Sequence, residues 1–233
     1  MTSNEGTVSE TASLGGNDAR EVRVLLVDDH DLFRTGLRNL LEEQGVEIVG
    51  EAGSGFDALR IVRESAPDVV IMDLNMPGMN GVDATRHISR DAPLTRVIVL
   101  TISDQEQDVM DAILAGACGY LLKDASIQDL LKGIDAAAVG ESLISPHIAG
   151  KVLQHVRATT VAPEAAATIR AELSDREIQV LKLIANGNDN AMIARELHIS
   201  PKTVKNHISN ILMKLQIENR IQAAVYAVRS GIV

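Results

Sequence analysis

Four apolar stretches of this chain end on residues that can do polar chemistry. VRVLLV (Val22–Val27) runs into Asp28 and Asp29, VVIM (Val69–Met72) into Asp73, RVIVL (Arg96–Leu100) into Thr101, and GYLL (Gly119–Leu122) into Lys123. One aspartate at the end of an apolar run is ordinarily a turn or cap residue. Five polar residues at successive run ends, in this order, read instead as one site. Three carboxylates sharing a crevice repel one another and stay ionised together only beside a cation. A hard, oxygen-liganded ion suits them, and Mg²⁺ needs few protein ligands because it keeps several waters. Such an ion neutralises charge on a transferring phosphoryl group, and a carboxylate can itself be the nucleophile, giving an aspartyl-phosphate. Asp73 stands alone before the flexible NMPGMNG loop and is the candidate phosphoacceptor. Lys123 can pair with phosphoryl oxygens, and the Thr101 hydroxyl can donate to one.

Residues so placed need strands that end together. A further apolar run, VEIVGEA (Val46–Ala52), makes five, each followed by a helical pattern such as Leu32, Leu37, Leu40 and Leu41. That alternation predicts a doubly wound α/β domain on a five-stranded parallel sheet, with chemistry at the carboxyl ends of the strands. Near-continuous apolar strands fit a sheet covered on both faces. The Val46–Ala52 run alternates more and is expected at an edge. Aromatic residues make up only 2% of the chain, so Leu, Ile, Val and Ala must fill the cores. The single cysteine, Cys118, excludes an internal disulfide framework and is expected to be a small buried residue. His30 follows the acid pair and fits either a pocket neighbour or a helix cap. No apolar run approaches membrane-spanning length, and the polar first 20 residues lack a secretory core. They read as a disordered tail, and the chain as soluble and cytoplasmic, with no membrane partner.

The net charge of −10 is unevenly spread. Residues 21–140 carry 10 basic against 21 acidic side chains, whereas residues 172–233 carry 8 against 6, a balance that permits a polyanionic partner. Residues 141–171 read as a linker containing a short helix to about His155, with Ser145 as its cap and Pro146 at its start. From Leu173 the pattern is wholly helical. Ser174 and Glu177 form a capping box, Gly187 stops the first helix, and HIS (His198–Ser200) joins the second to the third. This spacing is a helix-turn-helix, whose second helix enters a major groove. In PKTVKNHISNILMKL, Val204, Ile208, Ile211, Leu212 and Leu215 make the buried stripe. Lys202, Lys205, Asn206 and Ser209 fall opposite, where Lys and Asn suit base edges and phosphates. Thr203, near the helix start, can hold a phosphate with free backbone N–H groups.

VLLVDDH, VVIMDLNMPGMNG, VIVLT and GYLLKD resemble the receiver domain of bacterial response regulators, a flavodoxin-like fold. The resemblance implies that Asp73 takes phosphate from a sensor histidine kinase. It also implies that Asp28, Asp29, Asp73 and the Asn75 carbonyl bind Mg²⁺, that Thr101 is drawn inward, and that Tyr120 changes rotamer. LSDREIQVLKLIANG, IARELHIS, TVKNHISNILMKL and RIQAAVYA resemble the LuxR-type helix-turn-helix, which makes the whole layout similar to the NarL/FixJ subfamily. That implies DNA reading by Lys202, Lys205 and Asn206, and pairing of two copies on double-stranded DNA through the helix around Ala223–Val228. Ala191-Met192 stands where many members have Lys-Glu, which removes one basic position. The implied function is a two-component transcription regulator, not an enzyme. An aspartyl phosphatase would want a second acid two residues after Asp73, where this chain has Asn75. A docking adaptor is the remaining alternative. In the resting state the receiver is expected to hide the recognition helix.

Overall fold

A computed structural model describes residues 22–144, 148–152 and 173–232. The expected tail, Ser145, Pro146 and most of the linker lie outside the described residues. Strands β1 (Arg23–Val27), β2 (Glu47–Ala52), β3 (Val69–Met72), β4 (Arg96–Thr101) and β5 (Gly119–Leu122) alternate with helices α1 (Asp31–Glu43), α2 (Gly55–Ser65), α3 (Gly81–Asp91), α4 (Glu106–Leu114) and α5 (Ile127–Ala138). The five-stranded expectation needs correction. A two-residue strand β6 (Leu143–Ile144) extends the parallel sheet, giving the order β2-β1-β3-β4-β5-β6. Its residues fall in the stretch expected as linker, and two residues are too few to show a strand's period. Residues 148–152 are helical, within the expected short helix.

The strands are buried on alternate sides because side chains alternate along a pleat. Val24, Leu26, Ile71 and Ile98 pack with Leu41 of α1 and Ile134 of α5. Leu25, Val27, Val70 and Met72 pack with Val62 of α2 and Ile88 of α3 on the other face. β2 is at the edge and is mostly half-buried, as its alternation implied. β1 and β3 pair in register from Val24↔Val69 to Val27↔Met72, so Asp28 and Asp73 leave the sheet side by side.

The second unit is helical: α6 (Asp175–Ala185), α7 (Asn190–Leu197), α8 (Pro201–Leu215) and α9 (Arg220–Arg229). Each starts on a polar cap that accepts from a backbone N–H: Ser174, Asp189, Ser200 and Asn219. Such caps satisfy amides that a helix start leaves open, each worth about 1 kcal/mol. Val180, Ile184, Ile193, Val204, Ile208 and Ala227 lie in one core. His198 and Gln216 close α7 and α8 in the left-handed region, which accounts for His198 without a metal. No described helix is long and apolar enough to cross a membrane.

Glu177 ties this unit together. Its carboxylate accepts from Ser174 N at 2.8 Å, Ser174 Oγ at 2.9 Å and Lys214 Nζ at 2.7 Å. Burial works against its charge, but the bonds from Lys214 and Ser174 outweigh it and hold the pKa below the ordinary carboxylate value. The charged form is therefore favoured by folding. Its stabilisation is present above the ordinary pKa and is lost as pH falls through the depressed one. Glu177→Gln should destabilise the helical unit by about 1–3 kcal/mol at neutral pH. Hydrogen exchange of α6 and α8 amides in denaturant measures this, and the difference from wild type should vanish in acid.

Candidate functional site

Asp28, Asp29 and Asp73 converge at the carboxyl ends of β1 and β3. They and His30 offer ligand atoms all within 4.8 Å of one another. Lys123, which follows β5, reaches across to them: its Nζ lies 2.7 Å from Asp28 Oδ2 and 2.9 Å from Asp73 Oδ2. It also stands 4.7 Å above the centre of the Phe33 ring. Burial opposes the Lys123 charge, yet hydrogen bonds from Lys123 to Asp28 and Asp73 prevail and raise its pKa. The other Asp73 oxygen, Oδ1, accepts from Leu74 N at 2.8 Å. Asp73 is 2% exposed, so these partners stand in for water around its carboxylate.

Asp29 is left out of this pairing. His30 Nδ1 lies 2.9 Å from Asp29 Oδ1, but without hydrogen-bond alignment: among the described residues that buried oxygen has no hydrogen-bond partner. Three carboxylates thus face one ammonium, with an orphaned oxygen among them. Hard oxygen donors short of positive charge fit a hard divalent cation. His30, largely exposed, sits at the pocket and also starts α1, its backbone N–H bonding Asp28 Oδ1 at 2.9 Å.

Thr101 is fully buried at the end of β4, and its carbonyl accepts from Lys123 N at 2.9 Å, fixing the lysine's root. The Thr101 hydroxyl accepts from Ser103 N at 3.4 Å. Tyr120, equally buried on β5, donates its hydroxyl to Ser103 O at 2.8 Å. Burial first, then the acids Asp108, Asp104 and Asp73, push its pKa up, so the phenol stays protonated. Ser103 therefore joins both residues. Asn75 is exposed in the loop beyond Asp73.

Gly81 carries a constraint that spacing alone did not reveal. Its N–H bonds Leu74 O at 2.9 Å, folding the loop back on the end of β3. A Cβ there would lie 2.0 Å from the Asp73 carbonyl oxygen. Only glycine allows so close a return. The cue was the glycine at the end of NMPGMNG, although its partner could not be named from sequence.

On α8, Lys202, Asn206 and Ser209 are exposed while Thr203 and Lys205 are half-buried. Val204, Ile208 and Ile211 point into the core. Thr203 bonds Ser200 through both backbone and hydroxyl, at 3.1 and 2.8 Å. The face expected to read DNA is thus exposed at Lys202, Asn206 and Ser209, contrary to the expected hidden helix.

The receiver covers α9 instead. Ile221 and Val225 join one cluster with Val99, Val109, Met110, Ile113 and Tyr120. Gln222 Nε2 donates to Ile113 O at 2.8 Å and Asn219 Nδ2 to Ala117 O at 3.0 Å. These bonds fall on the last turn of α4 and on the loop between it and β5, where α4 has no basic residue in its last turn. An apolar cavity of about 370 Å³ remains beside them, lined by Leu143, Ile144, Val152, Ile184, Ile221 and Val225 among others. Hydrophobic pattern could not distinguish α9 packing on its own unit from α9 packing on a second one.

Residues 24–135 match the response regulator receiver domain family, and residues 171–227 match the luxR family of bacterial regulatory proteins. The transcriptional regulatory protein LiaR of Bacillus subtilis (strain 168) is 43% identical over 213 residues, 91% of this chain and 99% of that protein. The nitrate/nitrite response regulator NarL of Escherichia coli (strain K12) is 38% identical over 204 residues, 87% of this chain and 93% of NarL. The solved complex of the response regulator RcsB with DNA is similar over 90% of this chain and 98% of that one, with a TM-score of 0.53 and 27% identity.

Gly81→Ala should displace the Asp73 carbonyl and loosen the acid cluster. Mg²⁺ titration followed by calorimetry is expected to show at least about tenfold weaker affinity, the size usual when ligand placement is disturbed.

Proposed function

Because the chain belongs to the NarL/FixJ-type response regulators, a receiver joined to a LuxR-type helix-turn-helix, we propose that phosphorylation of Asp73 makes it pair with a second copy and bind DNA to regulate transcription. The family consists of two-component regulators rather than enzymes. We assign residues 21–140 to the receiver, 141–171 to the linker and 172–233 to the DNA-binding domain.

The observation that carries this reading is the convergence of three carboxylates on one lysine at the strand ends. Asp28, Asp29, Asp73 and the Asn75 carbonyl would hold Mg²⁺, which supplies neutralising charge for phosphoryl transfer. An Asp73 oxygen attacks the phosphorus of a kinase phosphohistidine. The P–N bond breaks, an acyl phosphate P–O bond forms, and the departing imidazole takes up a proton. Lys123 then follows the negative charge from the carboxylate onto the phosphoryl oxygens. Thr101 turns its hydroxyl to the same group and gives up its bond with Ser103.

That last step reaches α9. Ser103 also anchors the Tyr120 hydroxyl, and Tyr120 belongs to the cluster that holds Ile221 and Val225. The region assigned to pairing, Ala223–Val228, has two sides. Ala223 and Ala227 face the helical core, while Val225 packs with the receiver cluster and Val228 lies against it. One apolar stripe cannot cover the receiver and a second copy together, so closure and dimerisation compete. Phosphorylation shifts that balance by disfavouring closure.

On DNA, Lys202, Lys205 and Asn206 read bases and phosphates, Ser209 stands beside them, and Thr203 holds a phosphate at the helix start. The solved RcsB complex with DNA supports this use of the fold. With 8 basic against 6 acidic residues in 172–233, affinity should come mainly from pairing rather than from bulk charge.

Incubation with a small phosphodonor and Mg²⁺ should give a phosphoryl adduct by mass spectrometry that is absent from Asp73→Asn; an adduct on both would move the acceptor elsewhere. In gel shifts with a selected site, Asn206→Ala should lose about 1–3 kcal/mol of specific binding. Unchanged discrimination would favour a docking adaptor.

A further inference from the structure

The loop after β4 holds the segment between the two domains as well as the pocket residues. Lys151, in the helical residues 148–152, donates to the Asp104 carboxylate at 2.8 Å and to the Asp104 carbonyl. Asp104 directly follows Ser103, whose N–H meets the Thr101 hydroxyl, whose carbonyl holds Tyr120, and whose hydroxyl bonds Asp108 at the start of α4. Ile148 and Val152, one helical turn apart, are buried in the cluster shared by Tyr120, Ile221 and Val225. The segment therefore lies against the receiver and α9 at once, and its one described cation is fixed to the loop that senses Thr101.

We infer that Lys151 is a positioning residue: its bond to Asp104 latches the interdomain segment against the receiver and thereby keeps α9 covered. The latch exists in the closed form whatever opens it. Its release by Thr101 rests on the Asp73 reading above. When the Thr101 hydroxyl leaves Ser103 N, the Ser103–Asp104 loop shifts, and the two acceptors that Lys151 uses move with it. Ile148 and Val152 lose their registration over Tyr120, and the polar bonds of Asn219 and Gln222 remain to hold α9. The pair is partly exposed, with side-chain accessibilities of 21% for Lys151 and 54% for Asp104, so the latch is weak. A weak latch suits a switch, because a small loop movement undoes it. The cavity beside Val152 points the same way, since missing contacts there lower the cost of separation.

The test is hydrogen exchange of residues 220–229 in the full chain, without phosphodonor, for wild type, Lys151→Met, Asp104→Asn and the double variant. Lys151→Met should speed exchange in α9 by about three- to fivefold, as expected for a partly exposed pair, with α6 unchanged. Asp104→Asn should have a smaller effect, because its carbonyl remains, and the double variant should match Lys151→Met. Unaltered exchange in Lys151→Met, or exchange raised equally in α6, would overturn the latch. The same samples with phosphodonor and Mg²⁺ separate the two proposals. Wild type that phosphorylates and exposes α9 while Lys151→Met behaves as wild type defeats the latch alone. Wild type that takes up no phosphoryl group while Lys151→Met still opens α9 defeats the Asp73 reading alone.

Discussion

Negative charge gathered where water is scarce governs this molecule. Two of the three converging carboxylates, Asp28 and Asp73, are almost wholly buried. Carboxylates so placed repel, and desolvation removes the screening that would make the repulsion tolerable. Lys123 relieves Asp28 and Asp73 but leaves an Asp29 oxygen with no hydrogen-bond partner among the described residues. On the proposed function, a change in the charge of this pocket redistributes Lys123, Thr101 and the loops rooted beside them. The parallel sheet supplies the placement, because neighbouring strands in register deliver their carboxyl-end residues to one rim.

The same loops connect the pocket with the domain boundary. Ser103 touches Thr101 on one side and Tyr120 on the other. Tyr120 in turn shares a core with α9, a helix that belongs by sequence to the other domain. On the proposed function, control falls on pairing rather than on access to the face assigned to DNA, since Lys202, Asn206 and Ser209 are exposed even when the domains are together. For a domain with so modest a positive charge, withholding the partner is an effective way to withhold DNA binding.

Much of this was legible in the residues. Four of the strands announced themselves as apolar runs, and the polar residues at their ends marked the pocket. The capping residues Ser174 and Ser200 fixed where α6 and α8 begin, as local hydrogen bonding leaves a local signature. What escaped was long-range. Gly81 matters because it passes against the Asp73 carbonyl, β6 because it lies beside β5, and Gln222 because α4 ends where its amide can reach. A polar residue in an apolar stripe, as Gln222 is between Ile221 and Ala223, is a cue without an address. The expectation of a hidden recognition helix failed for the same reason: both α8 and α9 have apolar stripes, and pattern does not say which stripe meets the receiver.

Sedimentation equilibrium of the full chain with phosphodonor and Mg²⁺ tests the coupling of pocket to pairing most directly. The account predicts a monomer that shifts to a dimer on phosphorylation, with a Val225→Asp variant that accepts phosphate yet stays monomeric. A chain that remains monomeric when fully phosphorylated at Asp73, with or without its DNA site, would contradict it.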